Sequence, residues 1–181
     1  MNTPNRLSVL FSLSLVVIPA ASQAFELQSQ ELQQGGTISM AQVNATMGCQ
    51  GVNQSPDLSW SDPPAGTQSF AVTMYDPDAP TGSGWWHWVV FDIPAGTDHL
   101  SANASGHLPA PIVESLTDFG QPGYGGPCPP EGADAHHYEI RVHALDVPSL
   151  GLDASAMPAL AGYMIHAHSL GSASITALYG R

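Results

Sequence analysis

Beyond residue 25 the apolar positions fall into short runs with a period of two. Phe70, Val72 and Met74 lie on one side of an extended segment, with Ala71, Thr73 and Tyr75 on the other. Tyr138, Ile140, Val142 and Ala144 alternate in the same way with Glu139, Arg141, His143 and Leu145, and Ile175, Ala177 and Tyr179 with Thr176 and Leu178. Successive side chains of a strand point to opposite faces, so this pattern predicts half-buried strands. The unbroken run Val89-Val90-Phe91 predicts a strand covered on both faces. With 18 glycines and 16 prolines, many of them punctuating these runs, the pattern points to an all-β antiparallel sandwich or barrel.

One segment has helical spacing. Leu160, Ala161, Met164, Ile165 and His168 recur three and four apart, predicting a helix from about Met157 to His168. Asp153 or Ser155 is a candidate N-cap, and Pro158 suits the first turn. Asp92 to Ser115 reads as a polar connection with a surface excursion. No repeat of 20 to 50 residues and no linker divides the chain.

Residues 1–24 have the layout of a secretory leader. Arg6 supplies a positive charge, Leu7 to Ala21 an apolar run, and Ser22-Gln23-Ala24 the small residues of a cleavage site. An uncleaved anchor is the alternative, but the run is shorter than the ~20 residues a spanning helix needs. Cleavage after Ala24 leaves residues 25–181 as one domain, periplasmic or secreted and with no membrane span.

Charge excludes several function classes. The chain has no lysine, and its three arginines face fifteen acidic residues for a net charge of −12. Without Arg6, two arginines against the same fifteen acids give −13. Such a surface repels a phosphate backbone and anionic membranes, so no nucleic-acid partner is expected. Cys49 and Cys128 form an even pair in an exported chain, which favours a disulfide. Two free thiols, or a reactive cysteine near a histidine, are the alternatives.

Two segments concentrate chemistry. In the first, Tyr75-Asp76-Pro77-Asp78-Ala79-Pro80 precedes Gly84-Trp85-Trp86-His87-Trp88-Val89-Val90. Prolines fix the backbone and remove donors, so Asp76 is held rigidly at a strand end. In the second, Gly125-Gly126-Pro127-Cys128-Pro129-Pro130-Glu131-Gly132 precedes His136-His137-Tyr138. Its glycines have backbone N–H groups that could face an anion. A P-loop is excluded because G-K-[ST] is absent.

Together these segments resemble the phosphatidylethanolamine-binding protein family, also called Raf-kinase-inhibitor-like proteins, in its bacterial branch. The resemblance rests on DPDAP at 76–80, GxxHWVV at 84–90, YGGPCPPEG at 124–132 with HxY at 136–138, and the run 164–181. It implies an antiparallel β-sandwich of two sheets with one or two short helices. It also implies a small pocket for phosphate-like anions and phosphoryl head groups. The family's pocket maps onto Asp76, Pro80, Trp86, His87, Pro129, His136 and Tyr138, with Trp85 near the wall and Asp78 in a structural role. A Cys49–Cys128 bond would then pin the pocket loop to the N-terminal segment.

Two accounts of such a pocket are open. The imidazoles of His87 and His136 could donate N–H groups to phosphoryl oxygens, with Asp76 fixing a tautomer and favouring a charged ring. Alternatively, Asp76 could meet the cationic end of a zwitterion such as phosphoethanolamine. The expected partner is therefore a small phosphorylated or zwitterionic ligand, with no cofactor, no metal and no catalytic residue. A peptidase-inhibitor-type interaction module acting on an unknown protein is the runner-up. A metal-dependent hydrolase using Asp76, His87, His136 and His137, or His166 and His168, is weaker, because positions 136 and 137 point to opposite faces of a strand. No G-x-S-x-G elbow supports a hydrolase. Asn44, Asn53 and Asn103 head N-x-[ST] triplets that read as turn chemistry.

Overall fold

The computed structural model describes residues 24–181. The leader reading covers residues 1–24, and all of them but Ala24 lie outside the described residues. Eight strands and one helix follow in chain order: β1 (Glu26–Gln28), β2 (Leu58–Ser61), β3 (Ser69–Asp76), β4 (Trp85–Pro94), β5 (His99–Leu100), β6 (Val113–Glu114), β7 (His136–Leu145), α1 (Pro158–His168) and β8 (Ser169–Tyr179). They form two antiparallel sheets, β1-β2-β5 and β6-β4-β3-β7-β8.

The alternating pattern sorts the core into two clusters on either side of the larger sheet. Phe70, Val72, Met74, Trp88, Val90 and Ile140 face inward, against Leu27, Leu58, Trp60 and Leu100 of the small sheet. Ala71, Val89, Phe91 and Leu145 pack on the other face with Ala161 and Ile165 of α1. Because α1 covers that second face, β3 and β4 are buried along nearly their whole length. Burial on both faces accounts for the continuous apolar run at 89–91. The fold is therefore a sandwich with one helix outside it.

The details depart from the sequence pattern in three places. The helix begins at Pro158 with Met157 as N-cap and no side-chain cap. Asp153 accepts instead from the Ser155 backbone N–H, in a turn that ends before the helix. The stretch 92–115 is not a continuous excursion: β4 runs on to Pro94, and β5 and β6 both lie within it. Asp92 is buried in a bulge of β4 at φ 57°, where its carboxylate accepts from Ser149 Oγ and the Leu150 N–H. A polar residue taken for a loop residue is thus an anchor for the 146–151 connection.

Candidate ligand-binding pocket

β3 and β4 end side by side, and β7 begins next to β3. Asp76 pairs with Trp85 across one ladder, and Tyr75 with Glu139 across the other. Consequently the 77–84 turn, the start of β4 and the start of β7 share one edge of the fold.

A second register shift sets the aim of His87. Met74 pairs with Trp88 and Tyr75 with Trp86, leaving His87 as the extra residue of a β-bulge. Bulges re-aim side chains near functional sites, and here the bulge buries both His87 and Trp88.

At this edge lies a cavity of about 160 Å³ lined by Asp76, Pro80, His87, Pro129, His136 and Tyr138, with Trp85 also in its wall. Six of the seven sequence-derived ligand residues therefore meet there. Trp86 does not. Strand alternation turns it to the outer face, where its ring lies tilted against Tyr75 with centroids 4.8 Å apart and borders the position of Gly162 on α1. The wall also includes Met47 and Phe119, which the sequence reading did not single out. Phe119 lies edge-on to both His87 and Trp85, at 5.4 Å from each. It is held there because Asp118 accepts from the Trp86 N–H at 2.7 Å. No spacing rule connects residue 118 to residue 86, so the sequence carried no signal for this wall.

The electrostatics centre on one buried pair. His136 Nδ1–H donates to Asp76 Oδ2 at 2.7 Å, and both side chains are under a tenth exposed. The other oxygen of Asp76 accepts from the backbone N–H groups of Asp78 and Ala79 at 2.8 and 3.0 Å. Asp76 thus orients the His136 ring and holds the proline turn at once. Asp78 accepts from both the backbone N–H and Nδ1–H of His137 at 2.7 Å, and these bonds depress its pKa. His136 and His137 consequently pair with different acids on opposite faces of β7. Among the described residues, no three His, Cys, Asp or Glu side chains converge as metal ligands.

His87 Nδ1–H donates to the Gly125 carbonyl oxygen at 2.6 Å. Burial pushes its pKa down to about 4, more than Gly125 and the charge of Asp76 can offset. The ring is therefore neutral at pH 7, and its Nε2 is a lone-pair acceptor. The sign of the linkage follows. Unfolded, this histidine takes up a proton near pH 6.5; folded, it does so only near pH 4. The folded state binds fewer protons across that window, so acid favours unfolding. Lowering the pH from 6.5 to 4 should cost on the order of 3 kcal/mol through His87, measurable by urea unfolding at fixed pH. A His87→Gln variant should lose most of that slope.

Two donors at the pocket have no partner. Trp85 Nε1–H is buried and unsatisfied, and the buried Tyr138 O–H, although close to the Asp76 carboxylate, makes no hydrogen bond of good geometry. Burial and then the charge of Asp76 push the Tyr138 phenol upward, so it keeps its proton.

The glycine loop behaves otherwise than its sequence suggested. Gly125 N–H donates to the His87 carbonyl and Gly126 N–H to Asn53 Oδ1, so neither is left for an anion. These positions are glycine for space. A Cβ on Gly126 would strike the Gln42 carbonyl oxygen, and one on Gly125 the Phe119 ring. Cys128 is bonded to Cys49 across 79 positions. Arg181 donates to the carbonyls of Pro129 and Gly48, bracing the same junction.

The sequence profile of the phosphatidylethanolamine-binding protein family matches residues 28–180. The chain belongs to that family. Among its relatives, the UPF0098 protein YbcL of Escherichia coli (strain K12) is 44% identical over 171 residues, 92% of this chain and 93% of that protein. The UPF0098 protein YbhB of the same organism is 48% identical over 157 residues, 85% and 99% of the two chains. The crystal structure of E. coli YbcL, described as a new member of the mammalian PEBP family, superimposes with a TM-score of 0.85 at 45% identity. That superposition covers 87% of this chain and 98% of the other. Among the described residues no helix is long and apolar enough to cross a membrane.

Proposed function

We propose that this family member is an exported, non-enzymatic binding protein whose pocket takes a phosphoryl head group, either a free phosphate monoester or a zwitterion such as phosphoethanolamine. The observation carrying this reading is the pair of orphaned donors, Trp85 Nε1–H and Tyr138 O–H, at a cavity that also contains the Asp76–His136 pair. Buried donors without partners are rare and call for an acceptor. Phosphoryl oxygens supply several at once.

The histidines add a proton requirement. His136 gives its Nδ1–H to Asp76, so Nε2–H can reach a phosphoryl oxygen only when the ring bears both protons. His87 Nε2 accepts instead, which suits the P–OH of a phosphate monoanion or an ammonium group. When His136 donates through Nε2–H, or His87 accepts from a P–OH, the complex contains one proton more than the dianion with singly protonated rings, whereas an ammonium on His87 Nε2 adds none. Binding therefore weakens as pH rises, by up to about tenfold per unit for one linked proton. The Cys49–Cys128 bond supports an oxidising compartment. Because that bond uses the Cys128 sulfur, a cysteine nucleophile has no place in the reading.

The test is a heteronuclear NMR titration with phosphoethanolamine and with inorganic phosphate, at pH 5.5 and pH 8. The Trp85 indole N–H and the His87 and His136 rings should shift saturably, with tighter binding at the lower pH. Unmoved indole and imidazole signals at millimolar ligand would overturn the proposal. Response to phosphoethanolamine alone would select the zwitterion.

A further inference from the structure

The outer face of the larger sheet has a separate cavity of about 260 Å³, between β7, β8 and α1. Arg141 lies in its wall with His143 of β7, His166 of α1, Thr73 of β3 and Ser172 of β8. Only two cationic residues, Arg141 and Arg181, are present after residue 24 against fifteen acids. Arg181 is consumed by backbone carbonyls. Arg141 is not. Of its five N–H donors, one reaches Ser172 Oγ at 3.2 Å and another Glu139 Oε2 at a long 3.4 Å. The single guanidinium not locked into the scaffold therefore faces a cavity together with two imidazoles.

We propose that this cavity is a second binding site, for a small organic carboxylate with an apolar or aromatic body. The planar fork of Arg141 matches a carboxylate in two-point contact. Thr73, Ser169 and Ser172 add hydroxyls around it. Trp86 and Tyr75 border the adjoining part of the same groove and give the ligand body an aromatic surface. Monoanions are favoured over phosphate dianions because Glu139 stands beside the guanidinium. The titratable groups facing Arg141 are Glu139 and His143 on its own strand, His166 from α1 and Tyr75 from β3. Burial and then the charge of Arg141, with His166, push the pKa of His143 down to about 4. A bound carboxylate offsets that positive charge and so raises the ring's pKa, while the larger effect of burial remains. The site shares no residue with the Asp76–His136 pocket, so either can fail without the other.

The experiment is titration of the full mature protein with sodium benzoate, read by NMR at Arg141 Nε–H and the His143 and His166 rings, with benzyl alcohol as the uncharged control. Saturable shifts at these groups, an upward move in the His143 titration and at least tenfold weaker binding in Arg141→Met are expected. His166→Gln, an exposed change on α1, should weaken binding a few-fold and serves if Arg141→Met does not fold. Equal response to benzyl alcohol, shifts confined to His87 and His136, or undiminished affinity in both variants would overturn the proposal.

Discussion

Asp76→Ala should lower folding stability by about 3–5 kcal/mol and abolish measurable head-group binding. The carboxylate accepts three hydrogen bonds, from His136 Nδ1 and from the Asp78 and Ala79 backbone, in a site almost sealed from water. Deleting it leaves an imidazole N–H and two backbone N–H groups without an acceptor in that closed site, and each such orphan costs about 1–3 kcal/mol. Asp76→Asn separates the two effects. Its amide oxygen can still accept from the turn, while its NH₂ meets His136 Nδ1 and forces the proton to Nε2. The ring then presents a neutral donor to the pocket, so stability should largely survive and the pH dependence of binding should flatten. Urea unfolding and phosphate titration at pH 5.5 and 8 check both. An unaltered pH slope in Asp76→Asn would mean that His136 does not donate through Nε2.

What the sequence conveyed, and what it hid, follows from the range of each interaction. Period-two alternation is local, so β3, β7 and β8 and their inward faces were legible residue by residue, and Val89 to Phe91 was legible as a doubly covered strand. The short strands β1, β2, β5 and β6 were not, because two to four residues cannot display a period. The pocket was readable where rigid turns abut strand ends, at Asp76, Pro80, His87, Pro129, His136 and Tyr138. Trp86 was misplaced because nearness to His87 in the motif was read as sharing its face, whereas neighbouring strand residues point to opposite sides; only the bulge, which puts His87 and Trp88 both inside, depends on the partner strand. Phe119 and Met47 stayed hidden because long-range bonds deliver them: Asp118 to Trp86 for one, and the Cys49–Cys128 link for the other. Likewise, the glycines at 125 and 126 looked like anion cradles. Their N–H groups are spent on His87 and Asn53, residues 38 and 73 positions away.

Replacing both Cys49 and Cys128 by alanine should destabilise the protein by about 4 kcal/mol and lower Tm by roughly 10 °C, while leaving the fold intact. The cross-link spans 79 positions, and on the chain-entropy view its effect acts on the unfolded chain, which it keeps compact. The hydrogen bonds at the same junction act on the folded chain. Asn44 N–H donates to the Pro127 carbonyl, Asn44 Nδ2 to that of Gly126, and Arg181 to those of Pro129 and Gly48. They can hold the pocket loop in place without the sulfur bridge, but they cannot restrict the unfolded ensemble. The two contributions are therefore additive, and the bonds should preserve the geometry without recovering the lost stability. Head-group affinity should fall only a few-fold, since Cys128 and Met47 border the cavity but offer it no donor for a phosphoryl oxygen. Differential scanning calorimetry of the double variant, beside the same phosphate titration, tests this. An unchanged Tm would remove the bridge from the account of stability, and a collapse of binding with Tm preserved would make it a positioning device for the pocket.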